Sequence, residues 1–135
     1  MQINDADVVA EVLARFEAYE QALTDKDVDT LDATFWNSPH TLRCAVHEAG
    51  YGFDEIHAHR LRRPPGTNLK EKREKLVVTT YGRDYATVHL AFKVAGQDRT
   101  GWQSQTWVRF PDVGWKVVMA QVSIQADKPG WLKEG

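Results

Sequence analysis

Cysteine is almost missing from this chain. Cys44 is the only one, so no internal disulfide can form, and a reducing cytoplasmic setting is expected. Long apolar runs are missing too: none approaches the ~18 residues of a membrane-crossing helix. The opening Met1-Gln2-Ile3-Asn4-Asp5 has neither the charged start nor the apolar stretch of a secretory signal. Charge of one sign is not concentrated. Lys and Arg total 17, Asp and Glu total 19, the net charge is −2, and there is no basic block. Nucleic acid and membrane are therefore not expected partners. The chain also lacks a Gly-rich phosphate loop, a Gly-x-Ser-x-Gly turn and a legible Cys/His pairing. That disfavours nucleotide binding and serine or cysteine hydrolase chemistry. The histidines show no metal spacing. His57 and His59 stand two apart on an expected helix and do not share a face, His40 and His47 are too far apart along a strand, and His89 stands alone. No metal is expected.

What remains is ordinary globular composition, 42% hydrophobic and 27% charged over 135 residues. This suits one domain, taken as residues 1–125 with a tail at 126–135. Asn4 and Asp5 are candidate caps for a first helix. Its apolar stripe is Val9, Val12, Leu13, Phe16, Tyr19 and Leu23. Asp27 caps a second helix carrying Val28, Leu31 and Phe35, and Asn37-Ser38-Pro39 ends it. The period then falls to two. Residues 41–47 read as a strand, Glu48-Ala49-Gly50 as a turn, and Asp54 as the cap of a third helix that Pro64-Pro65-Gly66 stops. Strand-like runs follow at 71–81, 85–94, 99–110 and 115–125, with short connections that suit antiparallel hairpins. Helices followed by hairpins predict an α+β fold. In the last run strict alternation puts Trp115, Val117, Met119, Gln121 and Ser123 on one face and Val118, Ala120, Val122 and Ile124 on the other. Both faces are largely apolar, and three short helices cover one. A homodimer packed sheet to sheet is the expected cover for the second.

Several polar residues interrupt apolar patterns. Arg43 lies in Thr41-Leu42-Arg43-Cys44-Ala45-Val46, sharing a strand face with Thr41, Ala45 and His47. Arginine keeps its charge in proteins, so an inward Arg43 needs an anion, from a ligand or from an internal carboxylate such as Glu20. An outward one reaches water. Alternation alone leaves both directions open. Cys44 falls on the opposite face and reads as an inert thiol. Tyr19 lies on the first helix's stripe, as a core ring with a hydroxyl to satisfy. Gln103, Gln105, Trp107 and Arg109 share a face, which is either a ligand surface or a solvated one. Gln121 interrupts an inward run and needs partners if buried.

The runs Phe16-Glu17-Ala18-Tyr19-Glu20-Gln21-Ala22-Leu23, Asp29-Thr30-Leu31-Asp32 and Phe35-Trp36-Asn37-Ser38-Pro39-His40-Thr41-Leu42-Arg43 resemble the AtzH-like family, which includes the HpxZ proteins of oxalurate catabolism. Tyr51-Gly52, Arg63-Pro64, Thr79 to Asp84, Gln103 to Arg109 and the closing strand carry the likeness along nearly the whole chain. The family belongs to the SnoaL-like group of the nuclear transport factor 2-like, or cystatin-like, superfamily. The resemblance implies a cone: a curved antiparallel sheet wrapped around about three helices, with an internal pocket, in a homodimer or homotetramer. It implies cofactor-free hydrolysis of a small carboxylated ureide, with Tyr19 and Arg43 as the key residues. Arg43 would bind the substrate carboxylate and Tyr19 would donate a proton or orient the substrate. Arg60, Gln105, Trp107 and Gln121 would shape the pocket. The family's last strand usually carries histidine where this chain has Gln121, which cannot titrate near neutral pH. The competing reading is a non-catalytic small-ligand-binding or accessory subunit that supports a partner amidase. A cyclase or isomerase is a weaker third, because no inward Asp or His base is legible.

Overall fold

The structure is a computed structural model that describes residues 1–66 and 72–133. The loop expected after Gly66 and the first expected strand residue, Glu71, fall outside the described residues, as does the tail's end at 134–135. Helix α1, Ala6–Asp25, starts where the Asp5 carboxylate accepts from the Asp7 amide at 3.0 Å. It buries Val8, Val12, Phe16, Tyr19 and Ala22 and stops at Lys26, which adopts the left-handed conformation at φ 52°. Helix α2, Val28–Thr34, is capped by Asp27, whose carboxylate accepts from the amide and hydroxyl of Thr30. Strands β1 (Leu42–Cys44) and β2 (Ala49–Tyr51) follow, then helix α3 (Phe53–Arg62). Four longer strands complete the sheet: β3 (Arg73–Tyr81), β4 (Tyr85–Lys93), β5 (Thr100–Phe110) and β6 (Gly114–Ile124). A short helix α4, Gly130–Lys133, lies within the tail. Among the described residues, no helix is long and apolar enough to cross a membrane.

The six strands form one curved sheet in the order β2-β1-β6-β5-β4-β3, antiparallel except where β1 runs parallel to β6. Helix α1 lies across its inner face. There Val8, Val12 and Phe16 join Val88, Leu90, Trp107 and Val117 in a single core.

Two local readings are overturned. The Glu48-Ala49-Gly50 turn is largely strand, with Arg43 opposite Gly50. Gly50 marks close helix approach: a Cβ there would stand 2.7 Å from Ile56 Cγ1 of α3. Helix α3 is capped by Gly52 at φ 99°, with no side-chain cap, and Asp54 lies in its first turn.

The third correction matters for function. On β5 and β6, Thr106 pairs with Met119 but Trp107 pairs with Val117, so Val118 is an extra residue that bulges β6. A bulge reverses the inward and outward parity beyond it. Trp115 and Val117 point inward before it, and Ala120 points inward after it. Gln121, expected on the inner face, pairs with the exposed Ser104 and is itself exposed on the outer face. Met119, 41% exposed, moves outward with it. The outer face of this strand is therefore more polar than strict alternation predicts.

Candidate functional site

Parity on β1 turns Arg43 inward, where it is 8% exposed. The parallel pairing sets it beside Ala120 of β6. Tyr19 of α1 is 2% exposed, with Phe16 and Phe35 ring centroids at 6.5 and 5.9 Å. Arg60, the charged member of the four expected pocket-shaping residues, comes from α3 and is buried as well. Its guanidinium lies 4.2 Å from the centre of the Phe35 ring, and its Nη1 donates to Asp32 Oδ1 at 3.0 Å. The other Asp32 oxygen meets His57 Nδ1 at 2.6 Å. Phe35 thus links Tyr19 and Arg60, and Asp32 anchors Arg60 from behind.

Arg63, just past the end of α3, completes a cationic cluster. Burial holds the Arg60 ionisation below its ordinary value. Tyr19 and Asp32 oppose that effect, and the like charge of Arg43 adds to it. Arg63 is lowered in the same way, by burial and then by Arg43, with Tyr19 again opposing. The Tyr19 hydroxyl and the three guanidiniums therefore share one electrostatic neighbourhood. Arginine does not escape the cost of burial by losing its proton, so the cluster favours any anion that reaches it.

Asp32 already meets Arg60, and a second internal anion meets Arg43 and Arg63. Glu48, on the connection between β1 and β2, approaches Arg43 Nη1 at 3.5 Å, Arg63 Nη2 more closely, and His59 Nδ1 at 3.7 Å. Its backbone oxygen accepts from the Ala45 amide at 2.8 Å, which closes the turn. The internal partner of Arg43 is thus Glu48, and Glu20 lies elsewhere. Glu20 sits near Glu17 and Arg73, at the start of β3, and burial raises its carboxyl to about 7. Around Glu48 the surface opens into a hollow of about 360 Å³, lined by Arg43, Ala45, Val46, His47, Glu48, Arg63 and Val122. Wider hollows lie beside Pro39 and Tyr51, beside Lys93 and Asp98, and beside Asp32 and Trp36, but none of the three is lined by Arg43, Arg60 or Arg63.

The expected pocket residues divide. Gln105 and Trp107 are buried on the inner face at 2% and 0% exposure, and the indole Nε1 donates to Gln105 Oε1 at 3.0 Å. Gln103 is buried on the same face, whereas Arg109 is exposed at its end. Gln121 does not join them. Cys44 is half-buried on the face opposite Arg43. His57 and His59 diverge, one to Asp32 and the other to Glu48. Sequence reasoning missed Glu48, Arg63 and Asp32 as members of the cluster. The only local signal was the spacing of Glu48 from Arg43 across a tight connection, and the hairpin register had to be known to use it.

Comparison with known proteins agrees with this architecture. The AtzH-like family model matches residues 1–128. A cystatin-like fold protein from Burkholderia xenovorans LB400 is 40% identical, with a TM-score of 0.87 over 95% of this chain and 99% of the other. A protein of unknown function from Pectobacterium atrosepticum SCRI1043 is 43% identical, with a TM-score of 0.83 over 92% of this chain and 95% of its own. A nuclear transport factor 2-like superfamily protein from Salmonella enterica serovar Typhimurium LT2 shares the fold, with a TM-score of 0.68 at 20% identity over 96% of this chain and 98% of its own. No curated protein matches the chain. With its fold, nearly all of its length and two relatives at this identity in agreement, the chain belongs to the AtzH-like family.

Proposed function

We propose that this protein hydrolyses a small carboxylated ureide of the dicarboxyurea or oxalurate type, using side chains alone. The observation that carries this reading is the pair of buried arginines, Arg43 and Arg60, with the half-buried Arg63 beside them: Tyr19 acts electrostatically on Arg60 and Arg63, and Arg43 and Arg63 line the surface hollow at Glu48. A guanidinium meets a carboxylate through two parallel hydrogen bonds, and Arg43 is the residue that takes the substrate carboxylate. It does so in competition with Glu48, whose contact with Arg43 is long. In the hydrolysis water adds to a carbonyl carbon, the C–N bond breaks, and the departing nitrogen takes a proton. In this reading the Tyr19 hydroxyl donates that proton and is restored by the one released from water. Exclusion of bulk water strengthens each of these interactions.

The test is turnover of a ureide panel by Tyr19→Phe and Arg43→Ala. Both variants should lose most activity. Unchanged turnover in both refutes the assignment.

The competing reading, a non-catalytic ligand-binding or accessory subunit for a partner amidase, draws on Glu48, which already provides Arg43 with an internal partner. Turnover by the isolated wild-type chain excludes it. A second copy of the chain on the outer sheet face, in a cytoplasmic setting, belongs to the same proposal. Met119 and Val77 are 41% and 38% exposed on that face.

A further inference from the structure

Gln105 is buried at 2% exposure, yet its amide nitrogen has no hydrogen-bond partner in the protein. Its orientation is fixed by chemistry. An indole N–H only donates, so the Trp107 Nε1 contact at 3.0 Å must be to the amide oxygen of Gln105. Trp107 is fully buried and cannot swing away. The two N–H bonds of Gln105 Nε2 are therefore turned away from Trp107 and left to find an acceptor. A buried donor without one is costly.

The ladder shows which residues stand beside Gln105. Ala120 pairs with Arg43 on one side and with Gln105 on the other, so all three project from the inner face in one row. Two strand spacings separate Arg43 from Gln105, roughly 10 Å between backbones. The residue between them carries only a methyl group. Arg43 and the fixed amide donor of Gln105 thus flank the methyl group of Ala120 on the inner face. Arg60 Nη2 is a second buried donor without a partner. These two donors find no acceptor in the protein, and a ligand that reaches them supplies one.

We propose that Gln105, locked by Trp107, is the specificity-determining residue of this site: its Nε2 binds a carbonyl oxygen of a ligand whose carboxylate lies on Arg43. The ligand class is a carboxylate that also carries an amide or urea carbonyl. An alkyl carboxylate of similar size leaves the Gln105 donor unpaired and binds weakly. This inference rests on the carboxylate-binding role of Arg43, and the experiment separates the two.

Calorimetric titration with oxalurate and with pentanoate compares ligands with and without carbonyl acceptors. The wild type should bind oxalurate at least ~10-fold more tightly, the worth of about one net hydrogen bond. Gln105→Met, which keeps the length and removes the donor, should bring the two within about threefold and leave pentanoate unchanged. Gln105→Glu keeps an acceptor for Trp107 and replaces the donor by an oxygen, so oxalurate binding should fall further. It also stands in if the Met variant fails to fold. Equal affinity of the wild type for both probes, or an unaltered ratio in either folded variant, overturns the inference. Arg43→Ala should lose both probes. If pentanoate binding survives it, the carboxylate reading fails whatever Gln105 does. If both probes are lost there while the Gln105 variants keep the wild-type ratio, only the role of Gln105 fails.

Discussion

Replacing Glu20 by glutamine should stabilise the protein above neutral pH. Glu20 stands one helical turn from Glu17 on α1. Arg73 Nη1 is bound to Glu17 at 2.8 Å, while Glu20 Oε1 is buried with no hydrogen-bond partner in the protein. Burial raises the Glu20 carboxyl from 4.5 to about 7; Arg73 opposes the rise and Glu17 adds to it. The folded state therefore holds a proton that the unfolded chain has released between these values. Stability falls wherever the native state binds more protons than the unfolded one as pH rises. The loss runs from about pH 4.5 to about pH 7 and is complete above that. An undiminished effect is worth ~3 kcal/mol at ~1.36 kcal/mol per pH unit, and partial solvent access reduces it to about 2 kcal/mol. Urea unfolding at half-unit steps from pH 4.5 to 8.5 reads this directly. The wild-type midpoint should decline relative to Glu20→Gln across the window, and the variant should be the more stable by ~2 kcal/mol at pH 8. Parallel pH profiles for the two proteins would show that Arg73 keeps Glu20 ionised and refute the reasoning.

Other consequences follow from the same contacts. Asp32→Ala strips the buried Arg60 of its carboxylate and should cost about 2–4 kcal/mol in urea unfolding; a change below ~0.5 kcal/mol would mean that Arg60 reaches water. Glu48→Gln removes the anion that competes for Arg43 and Arg63 and should tighten pentanoate binding about 3- to 10-fold by calorimetry. Unchanged or weaker binding contradicts that competition. Sedimentation equilibrium should show dimers or tetramers, with Met119→Lys shifting the distribution toward monomer. A wild type that stays monomeric at high concentration counts against pairing through the outer face.

The elements set by near neighbours were legible in the sequence. Asp5 and Asp27 cap their helices because each carboxylate reaches amides only two or three residues ahead. The stripe through Val12, Phe16 and Tyr19 records a 3.6-residue period. The hairpins of β3 to β6 announce themselves through alternation and turn residues. Misreadings arose where one residue has two physical uses. Gly50 looked like a turn, but it is a glycine because Ile56 of α3 presses on it, and that contact is invisible until the helix is packed.

The sequence by itself determined that this chain is α+β, that Tyr19 faces the core, and that Arg43 stands on one side of a strand with Thr41 and Ala45. Only the tertiary structure decided which side that is, through the pairing of Arg43 with Ala120. It alone showed that Glu48 meets Arg43 and Arg63, because three segments must converge to make that group. It alone turned Gln121 outward. Alternation is a local rule, and a strand obeys it only while its register holds. The extra residue at Val118 can be counted only against the partner strand β5, so the side on which every later residue of β6 falls is settled between strands and not along the chain.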